Sequence, residues 1–296
     1  MTIESFLSYL SLEKNYSDHT VLAYKSDIES FARFCSKEFQ TDQIETIGYS
    51  LIRSWIVALV DNGIGNRSIN RKIASLKAYY KFLLRIEEIQ VNPLSKHKPL
   101  KTAKKIEIPF SEKEMNAVLS QISYENGFEG VRDKLIIELL YATGIRRAEL
   151  INLKMDAIDL HSKTIKVLGK RNKERLLPLL SSSEILFQDY FAERALLPNI
   201  RDERYVFLLK SGYKIYETLV YRAVNKYLSE VSSKVKKSPH ILRHTFATHL
   251  LNQGADLNSV KELLGHSSLA STQIYTHNSI AELKKVHDAS HPRSRD

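Results

Sequence analysis

A chain of 296 residues and 34.0 kDa, with 43% hydrophobic and 26% charged residues, has the make-up of a folded globular protein and not of a disordered, collagen-like or low-complexity one. That length exceeds what a single core usually serves, so two domains are expected. Forty-four Lys and Arg against 34 Asp and Glu give 44 − 34 = +10, which suits a polyanionic partner, although a moderately basic enzyme shares the same balance.

The single cysteine, Cys35, excludes an intramolecular disulfide and a thiolate zinc cluster, as expected of a cytoplasmic protein. No apolar run approaches the roughly 18 residues needed to cross a bilayer, and the opening MTIESF lacks the basic and apolar regions of an export signal. Neither membrane insertion nor export is expected.

The first hundred residues read as helices joined by polar turns. Val21, Tyr24, Ile28, Phe31 and Cys35 recur at three- and four-residue steps behind the capping candidates Ser17 and Asp18, which predicts a helix with one buried face. Ile69, Ile73, Leu76, Tyr80 and Leu83 repeat the pattern after Ser68 and leave Arg67, Arg71, Lys72, Lys77 and Lys81 toward solvent or a ligand. The stretch KHKPLKTAKK, residues 96–105, carries five lysines and no acid, so it reads as an extended basic linker able to follow a phosphate backbone. The predicted division is therefore a helical domain at 1–97, a linker at 98–108 and a second domain at 109–296.

Beyond Pro109 the pattern is mixed. Ser111 to Ile122 and Glu129 to Thr143 read as helices, the first opened by an S-x-x-E capping box of Ser111 and Glu114. The β-rich run Thr164 to Leu168, a turn at Gly169 to Asn172 and a returning strand at Arg175 to Leu179 predict a hairpin, with Pro178 confining the second strand to an edge. Helical patterns resume near 183–197, 216–234, 240–252, 256–264 and 279–287. The expected class is mainly α with a small antiparallel β-sheet.

Signatures of nucleotide hydrolysis, zinc hydrolysis and serine-nucleophile chemistry are missing from the sequence. The acidic pair Asp156 and Asp159 sits among ordinary surface charges. In His240-Ile-Leu-Arg243-His244 an imidazole and a guanidinium share one helical face, a pairing that suits phosphate because arginine offers a planar fork and histidine can pass a proton near neutral pH. His244 and His249 fall on other faces and read as core or supporting groups. His266 adds a third donor, and Tyr275 follows nine residues later. A phenol with its usual pKa of about 10 costs roughly 4 kcal/mol to ionise at pH 7, so Tyr275 serves as a nucleophile only beside cations.

Four ordered segments carry a resemblance: Ala142-Thr-Gly-Ile-Arg146-Arg-Ala-Glu-Leu150; Gly169-Lys170-Arg-Asn-Lys-Glu-Arg175; His240-Ile-Leu-Arg243-His-Thr-Phe-Ala-Thr-His249; and Leu263-Leu-Gly-His266 through Tyr275-Thr-His277. In order and spacing they resemble the tyrosine recombinase (phage integrase) family, and the ending through His291-Pro292-Arg293 is similar to the Xer-type members. The resemblance implies a two-domain, C-shaped DNA clamp built from a helical, SAM-like core-binding domain and a catalytic domain. Arg146 and Arg243 would clamp the scissile phosphate, with Lys170 as general acid to the leaving 5′-oxygen. His240 and His266 would contact the phosphate, His240 also accepting the tyrosine proton, and Tyr275 would attack phosphorus. No metal and no cofactor is implied.

Arg171 stands where the family commonly has glycine, which constrains the turn and makes Lys173 the alternative acid. Glu149 reads as an ion-pairing or orienting group, and Arg147 as a surface or DNA-backbone contact. Double-stranded DNA is the implied partner, bound by a homo- or hetero-tetramer in which the helix from Ile280 to His287 passes to a neighbouring protomer. A second Xer-type recombinase and a septal DNA translocase are further partners that the sequence leaves open. The competing readings are a mobile-element integrase, a type IB topoisomerase-like enzyme and a DNA-binding protein without catalysis.

Overall fold

The computed structural model describes residues 2–103, 107–169, 174–265 and 277–295. The chain forms two compact units, Met1–Lys105 and Ile106–Asp296.

The first unit is helical: α1 (Thr2–Ser8, running on as a π-turn to Glu13), α2 (Asp18–Phe39), α3 (Tyr49–Asp61) and α4 (Asn66–Arg85). Of the α2 stripe, Ile28, Phe31 and Cys35 are buried while Val21 and Tyr24 pack at the margin; all five residues of the α4 stripe are buried. Trp55 of α3 stacks at a tilt on Phe31, 5.0 Å between centroids, and closes the core. Not all the basic residues of α4 are left to solvent. Asp27, buried on α2, accepts from both Arg71 Nη atoms, from Lys72 Nζ at 3.2 Å and from Ser75 Oγ at 2.8 Å, so its charge is fully partnered.

The start of the expected linker is held by this unit. Asn70 donates to the Leu100 carbonyl at 2.9 Å and accepts from the Leu100 amide at 2.8 Å, and Asn66 donates to the Lys101 carbonyl at 2.8 Å. The side-chain amide of Asn70 thus pairs with backbone as a neighbouring strand would.

The second unit begins with the capping box itself: Glu114 N donates to Ser111 Oγ, and Ser111 N to Glu114 Oε2. That box opens α5 (Glu112–Asn116), which loosens into a π-turn to Gln121. There follow α6 (Phe128–Ala142), buried on nearly every side, α7 (Arg147–Ile151), strands β1 (Ile158–Asp159), β2 (Thr164–Leu168) and β3 (Glu174–Pro178), and helices α8 (Ser181–Ala195), α9 (Glu217–Val231), α10 (Pro239–Asn252), α11 (Leu257–Leu264) and α12 (His277–Ser290). The antiparallel sheet has the order β1-β2-β3, and Pro178 lies opposite Thr164 on the edge strand, where its missing N–H costs no ladder bond.

The helix expected to pass to a neighbouring protomer packs here on its own domain. Leu283 joins the core, His287 Nε2 donates to the Ala142 carbonyl at 2.7 Å, and Arg293 reaches the buried Glu138 at 3.4 Å. The two polar contacts reach α6 in its last turns, before the chain turns toward Arg146. Each of them joins residues more than a hundred positions apart, which hides them from local sequence patterns.

The turn itself is tightly built. Thr143 Oγ1 donates to Leu139 O at 2.7 Å and accepts from Ile145 N at 3.2 Å, and Gly144 adopts a φ of +60°. A Cβ on Gly144 would lie 2.4 Å from Cδ1 of the buried Phe246. Gly144→Ala therefore combines a left-handed backbone with an overpacked core, and we expect it to lower unfolding free energy by about 3 kcal/mol. Urea denaturation measures this, and a loss below about 1 kcal/mol would contradict it.

Candidate active site

Arg146 is the N-cap residue of α7, with extended φ −73° and ψ 145°, so its side chain leaves the helix start and does not follow the helix surface. Its amide donates to Glu149 Oε2 at 2.9 Å, its Nη1 to Glu149 Oε1 at 2.8 Å and its Nη2 to the Gly265 carbonyl at 2.9 Å. The guanidinium is thus fixed by a carboxylate on one side and a backbone oxygen on the other, yet its side chain remains 36% exposed.

Arg243 projects from α10 and is 8% exposed. Its Nη1 donates to the Gly144 carbonyl and its Nη2 to the Leu264 carbonyl. The two arginines therefore bind consecutive carbonyls, Leu264 and Gly265, where α11 ends. Gly265 closes that helix with a φ of +61°, the left-handed conformation that turns the last carbonyls outward. Burial foremost, and then the neighbouring guanidiniums of Arg146 and Arg175, push Arg243 down to about 9 against the pull of Glu149, so it keeps its proton at neutral pH.

Glu149 holds the group together. Oε1 accepts from Arg146 Nη1 and Arg175 Nη1, both at 2.8 Å, and Oε2 from the Arg146 amide and Arg175 Nη2. Burial pushes its carboxyl up, and the hydrogen bonds and charges of Arg175 and Arg146 outweigh that and hold it below the usual range. Its stabilising contribution is present above the ordinary carboxylate pKa and is lost as pH falls through the depressed value. Three guanidiniums and one carboxylate leave a formal +3 − 1 = +2 around the Leu264–Gly265 turn. Such a site suits an anion, above all one whose negative charge grows during reaction.

His240 lies one turn before Arg243, second residue of α10, with its side chain 74% exposed and Nε2 3.5 Å from Glu107 Oε2. Glu107 also accepts from Lys236, whose hydrogen bond holds the carboxyl below its ordinary range. His249 belongs to the core, sharing a hydrogen bond of 2.9 Å with the Tyr141 hydroxyl. Arg147 pairs with Glu217 at the surface. Lys170, His266 and Tyr275, together with Arg171 and Lys173, lie outside the described residues. The structure therefore brings together Arg146 and Arg243 from the expected set and has His240 on the same helix as the latter. Sequence reasoning missed Arg175, Glu107 and the glycines at 144 and 265. The available signal for Arg175 was its place two residues before Leu177 and four before Leu179, on the apolar face of the predicted strand.

A helical unit joined to a mixed domain with paired arginines matches the phage integrase family model over residues 110–282 and the phage integrase N-terminal SAM-like domain over 3–87. The chain belongs to this family of tyrosine recombinases and is a site-specific DNA recombinase. It is 39% identical to the tyrosine recombinase XerC of Oceanobacillus iheyensis, with 99% of this chain and 96% of that protein aligned. Identity to the Chlorobaculum parvum XerC is 37%, over 98% and 94%. Among solved structures the fold resembles the XerH recombinase on a palindromic difH substrate after cleavage, with a TM-score of 0.72 and 22% identity over 92% of this chain and 80% of that one. It also resembles the Tn1549 transposon integrase in complex with transposon right-end DNA, with a TM-score of 0.71 and 22% identity over 96% and 98%. Among the described residues no helix is long and apolar enough to cross a membrane.

Proposed function

We propose that this recombinase cuts and rejoins duplex DNA through a 3′-phosphotyrosyl intermediate and a Holliday junction. The observation that carries the reading is the convergence of Arg146 and Arg243 on the consecutive carbonyls of Leu264 and Gly265, in a site of formal charge +2. Two fixed forks at that point can grip the two non-bridging oxygens of one phosphodiester and stabilise the second negative charge that develops when phosphorus becomes five-coordinate.

In this reaction the Tyr275 oxygen forms a bond to phosphorus as the bond to the 5′-oxygen breaks. His240 takes the phenolic proton, Lys170 protonates the departing 5′-oxygen, and His266 donates to a non-bridging oxygen. One phosphodiester replaces another, so the reverse attack by a 5′-hydroxyl rejoins the strand with the bond energy retained. The protein works as a tetramer on DNA. Passing α12 to a neighbour would exchange the His287 and Arg293 contacts made within the chain for equivalent ones between protomers. The likeness to XerC proteins over almost the whole chain supports resolution of chromosome dimers at cell division as the biological task, in the cytoplasm.

The test is incubation of purified protein with duplexes selected by binding from a randomised library and nicked beside the cut. A DNA–protein adduct that survives boiling in detergent is expected. No adduct on any selected duplex would overturn the reading.

A further inference from the structure

From the geometry around Glu149 we infer that Arg175 is a positioning residue of the recombination site, which holds Glu149 and the Leu263–Gly265 turn in place and so aims the Arg146 guanidinium at the scissile phosphate. This rests on the proposed strand-transfer function and adds a residue to it.

Arg175 is the second residue of β3, opposite Val167 in the hairpin, and its side chain is 4% exposed. An arginine so enclosed must spend every donor it can. Its Nη1 and Nη2 grip the two oxygens of Glu149 at 2.8 Å each, the parallel two-bond geometry in which arginine and carboxylate are most rigid. Its Nε donates to the Leu263 carbonyl at 3.1 Å. Its guanidinium lies flat enough against Gly265 that a Cβ there would stand 3.1 Å from Nη1 and 3.2 Å from Cζ.

One side chain therefore touches each partner that orients Arg146: the carboxylate that binds its amide and Nη1, and the glycine whose carbonyl binds its Nη2. Arg146 itself is partly open, and among the described residues its guanidinium has no hydrogen-bond partner besides these two. Without Arg175, Glu149 keeps only its bonds to Arg146 and becomes a half-partnered buried carboxylate. It would then draw Arg146 toward itself and away from the phosphate. Arg175 also stands at the start of β3, paired with Val167 of β2, so the same ion pair ties the hairpin to the arginine site.

An ordinary structural ion pair would look similar, and the charge of the substrate separates the two roles. Replacing one non-bridging oxygen of the scissile phosphate by a methyl group makes that phosphate neutral and removes most of what a well-aimed guanidinium can stabilise. A variant whose fault is poor aim of Arg146 then loses less on the methylphosphonate than on the phosphodiester. A variant that is merely less folded loses equally on both.

The experiment measures single-turnover strand cleavage by wild type, Arg175→Lys and Arg175→Gln on a nicked selected duplex, with a phosphodiester or a methylphosphonate at the cut. Because each preparation serves both substrates, its active fraction cancels. For Arg175→Lys we expect about a 30-fold loss on the phosphodiester, shrinking to within about threefold on the methylphosphonate, with duplex binding within about threefold of wild type. Equal losses on both substrates would overturn the proposal. So would disappearance of the cooperative thermal transition in both variants, which would make Arg175 a residue of the fold. Failure of wild type to cleave the phosphodiester would instead overturn the strand-transfer reading, and this role with it.

Discussion

Tyr275→Phe is expected to abolish the detergent-resistant adduct, cutting strand cleavage by at least about 10⁴-fold, while leaving duplex binding within a few-fold of wild type. The substitution removes one oxygen and no charge, so it leaves the cationic site able to hold DNA. The physical case for a tyrosine here is electrostatic. A phenol of ordinary pKa is ionised only at a cost of roughly 4 kcal/mol at pH 7, which a nucleophilic tyrosine would offset only beside cations such as the three guanidiniums held here against one carboxylate, the same charges that would stabilise the new charge on phosphorus. Gel analysis of the boiled reaction reads the result directly. An adduct of wild-type yield in the Phe variant would remove Tyr275 from the reaction.

Arg243→Lys should be nearly as damaging, with cleavage falling about 10³-fold even though the positive charge is kept. The reason is geometric. Arg243 spends donors on two carbonyls, Gly144 on the α6 side and Leu264 at the end of α11, and a planar fork can do this while still facing a phosphate. A lysine ammonium is a single point that cannot reach both and face the substrate too. One of these buried carbonyls would be left without its partner, and stability should fall by about 1–3 kcal/mol. Single-turnover cleavage at saturating enzyme, alongside urea denaturation, separates the two effects. Cleavage within about tenfold of wild type would contradict the assignment of Arg243 to the phosphate.

Much of the fold could be read from one sequence because its signals are local. The α4 stripe from Ile69 to Leu83 repeats with helical period, Ser111 and Glu114 carry their own cap, and Pro178 marks its strand as an edge. What stayed hidden depends on distant partners. Strand β1 is two residues long and shows no alternation. Arg175 finds its carboxylate 26 positions away and its carbonyl 88 away. Asn70 reads as one more polar residue on a basic helix until Leu100 lies against it. Arg146 and Arg243 were legible as candidates through the resemblance of the segments around them. Their convergence is a property of the α11 C-terminus and of Gly144 and Gly265, whose backbone conformations bring the three carbonyls to the two forks.

Attack of a phenol on phosphorus at an arginine-lined site is the central step of the proposed reaction, and mapping the covalent link tests it most directly. The wild-type adduct is digested with nuclease and protease, and the peptides are sequenced by mass spectrometry. A nucleotide remnant joined through phosphate to the Tyr275 oxygen is the predicted result. A remnant on any other side chain would contradict the account.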